Sequence, residues 1–220
     1  MTIPPSHVVY TVDGAILPVN KILAVGRNYA DHAAEMDAPA VPVIFMKPAT
    51  ALRNPGEPVR LPRGRGSVHH EVEVVVWLER GGSALDAAAA AAGIGAYGLG
   101  LDLTLRDVQT RAKAEGKPWT LAKGFDGSLP VSPFVRAAAV ADPAALAFSL
   151  DVDGVRRQTG RAAGMLLPVG KLLSAIAAWI TLEPGDLILT GTPSGVGPVA
   201  PGERAVLTLD GHFEHAVEFV

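Results

Sequence analysis

The chain has 220 residues, enough for a substantial hydrophobic core in one domain, with or without a short extension. A net charge of −3 and the lack of a Lys/Arg-rich tail give no footprint for nucleic acid, and the absence of cysteine excludes disulfides, iron–sulfur clusters and Cys-ligated zinc. The first residues lack a signal-peptide pattern and no apolar run approaches membrane-spanning length, so we expect a cytoplasmic protein with no membrane partner.

Short apolar runs bounded by turn residues dominate the chain and predict an α+β, mostly β protein. Two of the turns, at Asp153-Gly154 and Asp210-Gly211, have hairpin chemistry. No internal repeat and no strict strand–helix alternation occurs, which argues against a doubly wound sheet. The predicted strands are Lys21–Val25, Val43–Met46, Glu71–Leu78, Ala96–Leu103, Ala147–Val152, Leu187–Thr190, Ala205–Leu209 and Ala216–Val220.

Helical patterns are fewer. Tyr29–Glu35 and Arg106–Ala114 have the spacing of short helices, and Pro168–Ile180 predicts a longer amphipathic one. The Ala-rich stretch Leu85–Ala92 predicts a helix on the surface.

His32 and Glu35 share one face of the first predicted helix. A carboxylate beside an imidazole fixes its tautomer and raises its basicity, as a general base for water requires. The alternative is an ordinary surface ion pair. Asn28 or Asp31 is placed to cap this helix.

Glu71 and Glu73 lie two apart in a Val-rich strand, so their side chains share a face about 6.6 Å apart. At an effective dielectric near 20 they repel by roughly 2–3 kcal/mol. A cation between them, or protonation of one carboxyl, relieves this repulsion. The alternative is a solvent-facing pair on an edge strand. His69 lies on the same face and is either a further ligand or a packing residue.

Asp102 adds a third acid, at the end of a Gly-rich strand. Three carboxylates without cysteine suit Mg²⁺, Mn²⁺ or Ca²⁺ better than zinc. Thr104 and Asp107 have the spacing of a capping box, which predicts a helix N-terminus beside Asp102. Arg106 and Gln109 share one face of that helix, where the Arg can take a substrate carboxylate or simply be solvated.

Two lysines and one Gly-rich segment complete the candidates. Lys47 and Lys123 lie in apolar surroundings, where either can neutralise charge on an enolate, although isolated lysines are usually exposed. The segment 190–197 lacks the ending of a phosphate loop. It either offers the Thr192 hydroxyl and backbone N–H groups to a carboxylate or forms a wide β-turn.

The order of these motifs resembles the fumarylacetoacetate hydrolase family, in particular its short, single-domain acylpyruvase branch. The similarity covers residues 21–220, which we take as the catalytic domain, and leaves 1–20 as an N-terminal extension or edge strands. The matching motifs are Val25-Gly26-Arg27-Asn28-Tyr29, Lys47-Pro48, His69-His70-Glu71-Val72-Glu73, Leu101-Asp102-Leu103-Thr104, Arg106-Asp107-Val108-Gln109, Ala122-Lys123, and Gly185-Asp186 leading into Thr190-Gly191-Thr192-Pro193.

The resemblance implies a mixed β-roll or β-sandwich with a few short helices, assembled as a homodimer. It implies Mg²⁺ or Mn²⁺, with Ca²⁺ as a further candidate, and a keto-acid substrate. The implied metal ligands are Glu71, Glu73 and Asp102. The implied catalytic residues are His32 and Glu35, on a lid helix, and Lys123. The implied substrate-binding residues are Arg27, Lys47, Arg106, Gln109 and Thr192.

From this resemblance we expect hydrolysis of the carbon–carbon bond of acylpyruvates to pyruvate and a carboxylic acid. The same metal–enolate site supports oxaloacetate decarboxylation, keto–enol tautomerisation, or isomerisation of 2-hydroxyhepta-2,4-diene-1,7-dioate in aromatic catabolism. His32 and Glu35 favour hydrolysis, because that reaction needs positioned water. A non-catalytic metabolite-binding module is less well supported, since it predicts loss of a metal acid or of the dyad.

Overall fold

The computed structural model describes residues 7–29 and 43–220. Within those ranges strands predominate, and the predicted mostly β class is confirmed. The helices are α1 (Ala87–Ala91), α2 (Arg106–Ala114), α3 (Thr120–Lys123) and α4 (Val169–Ala177). The strands are β1 (Val8–Tyr10), β2 (Ile16–Pro18), β3 (Ile22–Gly26), β4 (Val43–Lys47), β5 (Leu52–Arg53), β6 (Val68–His70), β7 (Val72–Leu78), β8 (Ile94–Leu101), β9 (Thr104–Leu105), β10 (Leu129–Pro130), β11 (Val135–Arg136), β12 (Ala147–Val152), β13 (Val155–Arg161), β14 (Leu187–Leu189), β15 (Gly197–Val199), β16 (Arg204–Leu209) and β17 (Phe213–Glu218).

The centre of the molecule is a six-stranded sheet with the order β11-β8-β7-β14-β3-β4. Only the β14–β3 pair is parallel among these described strands. All seven residues of β7 are buried, because both faces of the sheet are covered. A Val-rich run without polar alternation is the sequence pattern of such a strand.

The two faces of β7 belong to two hydrophobic clusters. Val74 and Val76 pack in the larger cluster, together with residues of the four-stranded sheet β13-β12-β16-β17. Val75 and Trp77 pack in a smaller cluster on the opposite face. Since side chains alternate along a strand, the carboxylate of Glu73 lies on the face of this smaller cluster.

The register brings several strand ends to one edge of the sheet. β7 begins opposite the end of β8, and the residues that follow β14 and β3 lie beside it. Between β6 and β7, the carbonyl of Glu71 accepts the Asp102 N–H at 2.8 Å. Acids from two distant segments therefore meet at this edge.

Most predicted elements are confirmed, with shifted ends. α2 has the predicted bounds, α4 is shorter than predicted, and α1 lies within the Ala-rich stretch with only Ala90 buried. The turn at Asp153-Gly154 joins β12 to β13, and the one at Asp210-Gly211 joins β16 to β17.

Other elements differ from the sequence prediction or fall outside the described residues. The polar strand β13 has no counterpart among the predicted strands. The predicted helix Tyr29–Glu35 lies outside the described residues except for Tyr29, which forms a bridge with Met165. No helix in the described ranges is long and apolar enough to cross a bilayer.

Candidate metal and substrate site

Three acids from two distant segments converge at the edge of the central sheet. Glu71, Glu73 and Asp102 each offer an oxygen atom, and these atoms all lie within 4.8 Å of one another. The three residues are only 6%, 1% and 1% exposed. The interpretation of the glutamates as solvent-facing residues of an edge strand is therefore wrong, because β7 lies inside the sheet.

The donor set fits a hard divalent cation. All three ligand candidates are carboxylates, the oxygen donors that Mg²⁺, Mn²⁺ and Ca²⁺ prefer. Oδ1 of Asp102 is buried, and the Lys47 ammonium lies 2.8 Å from it. His69 is not part of this acidic group.

Glu71 is neutralised by cations of the protein. Its carboxylate is ion-paired with Arg106, and its Oε2 lies 2.8 Å from the Lys123 ammonium. Burial alone would raise the pKa of Glu71, but Lys123 and Arg106 lower the pKa to about 2.

Glu73 has a different environment. Burial first, and then the neighbouring charges of Asp102 and Glu71, raise the pKa of Glu73 well above its ordinary value. Its described hydrogen-bond donor is the backbone N–H of Gly191, at 2.6 Å from Oε2. Glu73 is therefore the acid for which the protein supplies least positive charge.

Both candidate lysines are buried, each only 2% exposed. Lys123 is ion-paired with both Glu71 and Asp102. Burial lowers the pKa of the Lys123 ammonium, but these two carboxylates outweigh burial, and the net shift is upward. Lys123 therefore remains a cation at the edge of the site.

Lys47 is held away from the substrate space by the protein. Its ammonium donates to the carbonyl and hydroxyl oxygens of Ser128, both at 3.1 Å, and to the Lys123 carbonyl. Burial lowers its pKa, and Asp102 partly compensates. These contacts anchor Asp102 and the C-terminal end of α3, and they indicate support of the site more than contact with a substrate.

The predicted capping box before α2 is wrong. The Thr104 hydroxyl donates to the Asp102 carbonyl at 3.0 Å, while Oδ2 of Asp107 accepts the Ser67 N–H at 2.7 Å. Leu105 is the N-cap residue and makes no side-chain capping bond. Thr104 thus fixes the backbone at Asp102 instead of the helix end.

Arg106 and Gln109 share one face of α2, as predicted. Nη1 of Arg106 donates to Oε1 of Gln109 at 2.7 Å. Arg27, Arg106, Gln109, Lys123 and Thr192 line one cavity together with the two glutamates. Phe45 and Trp119 form its apolar wall, in an edge-to-face contact with centroids 5.8 Å apart.

The segment after β14 closes the site on the Glu73 side. The Thr192 hydroxyl donates to the Val72 carbonyl at 2.9 Å. Gly191 has φ +96°, and a Cβ there would lie 2.7 Å from Cβ of Asn28. The predicted backbone donor to a carboxylate exists, with Glu73 as its acceptor.

Asn28 connects the ends of β3 and β14 to another loop. Its amide donates to the carbonyls of Leu167 and Thr190, at 3.1 and 2.8 Å, and its Oδ1 accepts the Leu167 N–H. The helix that Asn28 or Asp31 was predicted to cap lies outside the described residues.

Sequence reasoning missed the buried residue Gln158. Its Oε1 accepts the Val72 N–H at 3.1 Å and contacts Nδ1 of His70 at 2.9 Å. Its Nε2 donates to the Thr192 hydroxyl and the Pro193 carbonyl, at 2.8 and 2.9 Å. Gln158 thus ties β7 to the loop that carries Gly191. The predicted dyad, His32 and Glu35, lies outside the described residues.

Comparison with known proteins adds to this geometry. Residues 21–218 match the family model of the fumarylacetoacetate hydrolase C-terminal domain. A protein of Mus musculus named mitochondrial oxaloacetate tautomerase is 46% identical over 192 residues, covering 86% of this chain and 87% of that protein. A protein of Escherichia coli K12, also named oxaloacetate tautomerase, is 45% identical over 207 residues. The match covers 90% of this chain and 93% of that protein.

A solved structure is similar over the whole chain. The fumarylpyruvate hydrolase of Pseudomonas aeruginosa, described in complex with Mn²⁺ and pyruvate, has a TM-score of 0.93 and 35% sequence identity. The match covers 100% of this chain and 98% of that protein. The Mn²⁺ of that structure and the three buried carboxylates of this chain both indicate a site for a divalent cation.

Proposed function

The chain belongs to the fumarylacetoacetate hydrolase family, and we propose that it catalyses keto–enol tautomerisation of oxaloacetate with a bound divalent cation. Two relatives at 45–46% identity, from a mammal and a bacterium, are named for this reaction. This replaces acylpyruvate hydrolysis, expected from the sequence, as our first choice.

The observation that carries the proposal is the Lys123 ammonium, which lines the cavity while two carboxylates hold it in place. Tautomerisation moves a proton between C3 and the C2 oxygen, so negative charge develops on that oxygen. A fixed cation stabilises such charge without reorganisation during the reaction. The raised pKa of Lys123, which its two carboxylates cause in spite of burial, keeps it protonated for this role.

The divalent cation belongs beside this ammonium. We propose Mg²⁺ or Mn²⁺, with Ca²⁺ as a further candidate, held by Glu71, Glu73 and Asp102. When bound, it would supply further positive charge to an enolate.

The remaining side chains have binding and proton-transfer roles in the proposal. Arg106 and Gln109 hold the carboxylate next to the keto group, whereas the Thr192 hydroxyl, expected from the sequence to help, already donates to the Val72 carbonyl. His32, oriented by Glu35, takes the proton from C3 and delivers it to the C2 oxygen, beside which we place Lys123; the enol returns to the keto form by the reverse transfer. No carbon–carbon bond breaks and no water is consumed.

The proposed substrate is a small keto acid. We also propose that the protein assembles as a homodimer.

Enol–keto exchange of oxaloacetate tests the proposal directly. We expect the Mn²⁺-loaded enzyme to consume the enol form much faster than buffer does, with little release of pyruvate. His32→Ala should lower kcat by about 10²–10⁴ and leave Mn²⁺ binding unchanged. Decay of the enol at the buffer rate, in an enzyme with bound Mn²⁺, would refute the proposal.

Carbon–carbon hydrolysis is the second candidate. The observation that favours it is the match over the whole chain to a fumarylpyruvate hydrolase, together with the presence of His32 and Glu35. Hydrolysis consumes water and yields two acids, so product analysis separates it from tautomerisation. Cleavage of acetylpyruvate or fumarylpyruvate with a higher kcat/KM than enol-oxaloacetate exchange would favour this reading.

A further inference from the structure

Lys113 extends the functional face of α2 by one turn. Arg106, Gln109 and Lys113 are spaced by three and then four residues, so they form one stripe on the helix. All three line the cavity beside the acidic group. Lys113 is partly buried, and its ammonium lies 5.2 Å from the centroid of the Trp119 ring.

Lys113 makes no ion pair among the described residues, although the charge of Glu71 partly offsets its positive neighbours. The ion pairs of the neighbouring Arg106 and Lys123 are with Glu71 and Asp102. Burial lowers the pKa of the Lys113 ammonium, and the nearby Arg106 and Arg27 lower it further. Lys113 is thus a partly desolvated positive charge facing other positive charges, an arrangement that an anion would stabilise.

Arg27 lies at the same cavity, directly after β3. Its backbone has φ +70°, a conformation that is uncommon for residues other than glycine and is often retained for function. Its Nε is buried and has no hydrogen-bond partner in the described part of the chain. Like Lys113, it has unused capacity for an acceptor.

We propose that Lys113 and Arg27 form a second anion site, which binds the distal carboxylate of a dicarboxylic keto acid. The assignment rests on the proposed function in that the first carboxylate is held by Arg106 and Gln109. The cavity carries four described cations, Arg27, Arg106, Lys113 and Lys123, against two carboxylates. A second substrate carboxylate would reduce this excess of positive charge, and the Phe45–Trp119 wall would cover the carbon skeleton between the two carboxylates.

The test compares oxaloacetate with its 4-methyl ester, which keeps the skeleton but loses the distal charge. Lys113→Met should raise KM for oxaloacetate about tenfold to hundredfold, with kcat within about twofold, the size expected for a lost charged contact. The KM for the ester should change by less than about twofold. Lys113→Arg should restore most of the affinity for oxaloacetate.

Lys117→Met is the matched control. Lys117 lies four residues further on, is exposed, and pairs with Glu115 at 2.6 Å. Because it does not line the cavity, its removal should leave both KM values unchanged. Equal effects of the two substitutions would show general electrostatic attraction, and would overturn the proposed contact.

A binding measurement tests the second anion site independently of the tautomerase activity. Calorimetry with 3,3-difluorooxaloacetate, which cannot enolise, reports dicarboxylate binding even if the enzyme does not exchange enol-oxaloacetate. We expect Lys113→Met to weaken this ligand about tenfold or more and its 4-methyl ester by less than about twofold. Equal weakening of both ligands, or of neither, would refute the second anion site whatever the reaction is.

Discussion

The two sides of the acidic group differ in how the protein compensates negative charge. On the side of α2 and α3, Glu71 and Asp102 are paired with Arg106, Lys47 and Lys123. On the side of the loop after β14, Glu73 receives a single backbone N–H from the described chain, that of Gly191. The chain therefore neutralises Glu71 and Asp102 with its own cations. The charge of Glu73 is left for a bound cation to balance.

The largest effect should come from the well-compensated side. Asp102→Asn leaves the buried ammoniums of Lys47 and Lys123 short of a charge partner, and breaking a buried pair costs about 3–5 kcal/mol. Urea unfolding of the metal-free protein should show a loss of that size. Asp126→Asn, at an exposed acid, should stay within about 0.5 kcal/mol. Equal stability of the two variants would contradict the assigned pairing.

A pH series should separate Glu71 from Glu73 in the metal-free protein. The pKa of Glu71 is lowered from 4.5 to about 2 by Lys123 and Arg106, against the effect of burial. Its contribution to stability, roughly 3 kcal/mol, is complete above the unfolded pKa and is lost as pH falls through the folded value. The wild type should therefore lose more stability than Glu71→Gln between about pH 5 and pH 2.

The contribution of Glu73 has the opposite sign. Burial and its anionic neighbours raise its pKa, so its favourable contribution is present below pH 4.5 and is lost as pH rises through the folded value. The free energy of unfolding of the wild type, measured with urea, should fall as pH rises above 4.5, and Glu73→Gln should remove this fall. Parallel curves for wild type and both variants would contradict the contrast between the two glutamates.

At neutral pH, Glu73→Gln should stabilise the metal-free protein, because it removes a buried carboxyl whose pKa is raised by burial and by the charges of Asp102 and Glu71. The same substitution should abolish the rise in Tm that Mn²⁺ gives the wild type. Glu71→Gln is the comparison variant, and it should destabilise the metal-free protein. If Glu71→Gln and Glu73→Gln both destabilised the metal-free protein, the proposed difference between the two glutamates would be contradicted.

Much of this site was predictable from the sequence, for local reasons. The glutamates two apart in a Val-rich run indicated a cation, or protonation of one carboxyl, provided that the strand is buried. The helix Arg106–Ala114 has a periodicity that fixes the shared face of Arg106 and Gln109. The order of the motifs carried the family resemblance, which the family match confirms.

What the sequence could not give depends on distant partners. Gln158 lies on a mostly exposed strand, and its partners His70 and Val72 come more than 80 residues earlier. Lys47 is fully buried because carbonyls far along the chain accept its ammonium. The capping box failed because the Thr104 hydroxyl bonds to the Asp102 carbonyl, a competing local contact of the kind that Thr side chains readily make.

The backbone beside Glu73 can be tested by one more substitution. Gly191→Ala forces an L residue into φ +96° and places its Cβ 2.7 Å from that of Asn28, so we expect a loss of about 2–4 kcal/mol and weaker Mn²⁺ binding. Gly202→Ala is the control, since φ is +92° there but nothing lies within 4 Å. Gly202→Ala should lower the free energy of unfolding, measured with urea, by only about 1–2 kcal/mol. Equal losses would show that the contact with Asn28 is unimportant.

The central claim is that a hard divalent cation completes the charge balance of this acidic group. Crystals grown with MnCl₂ and measured for anomalous scattering of manganese test it most directly. We predict one strong peak per chain, with oxygens of Glu71, Glu73 and Asp102 as protein ligands. Absence of a peak there at saturating Mn²⁺, or a peak bound elsewhere with these carboxylates unchanged, would contradict the account.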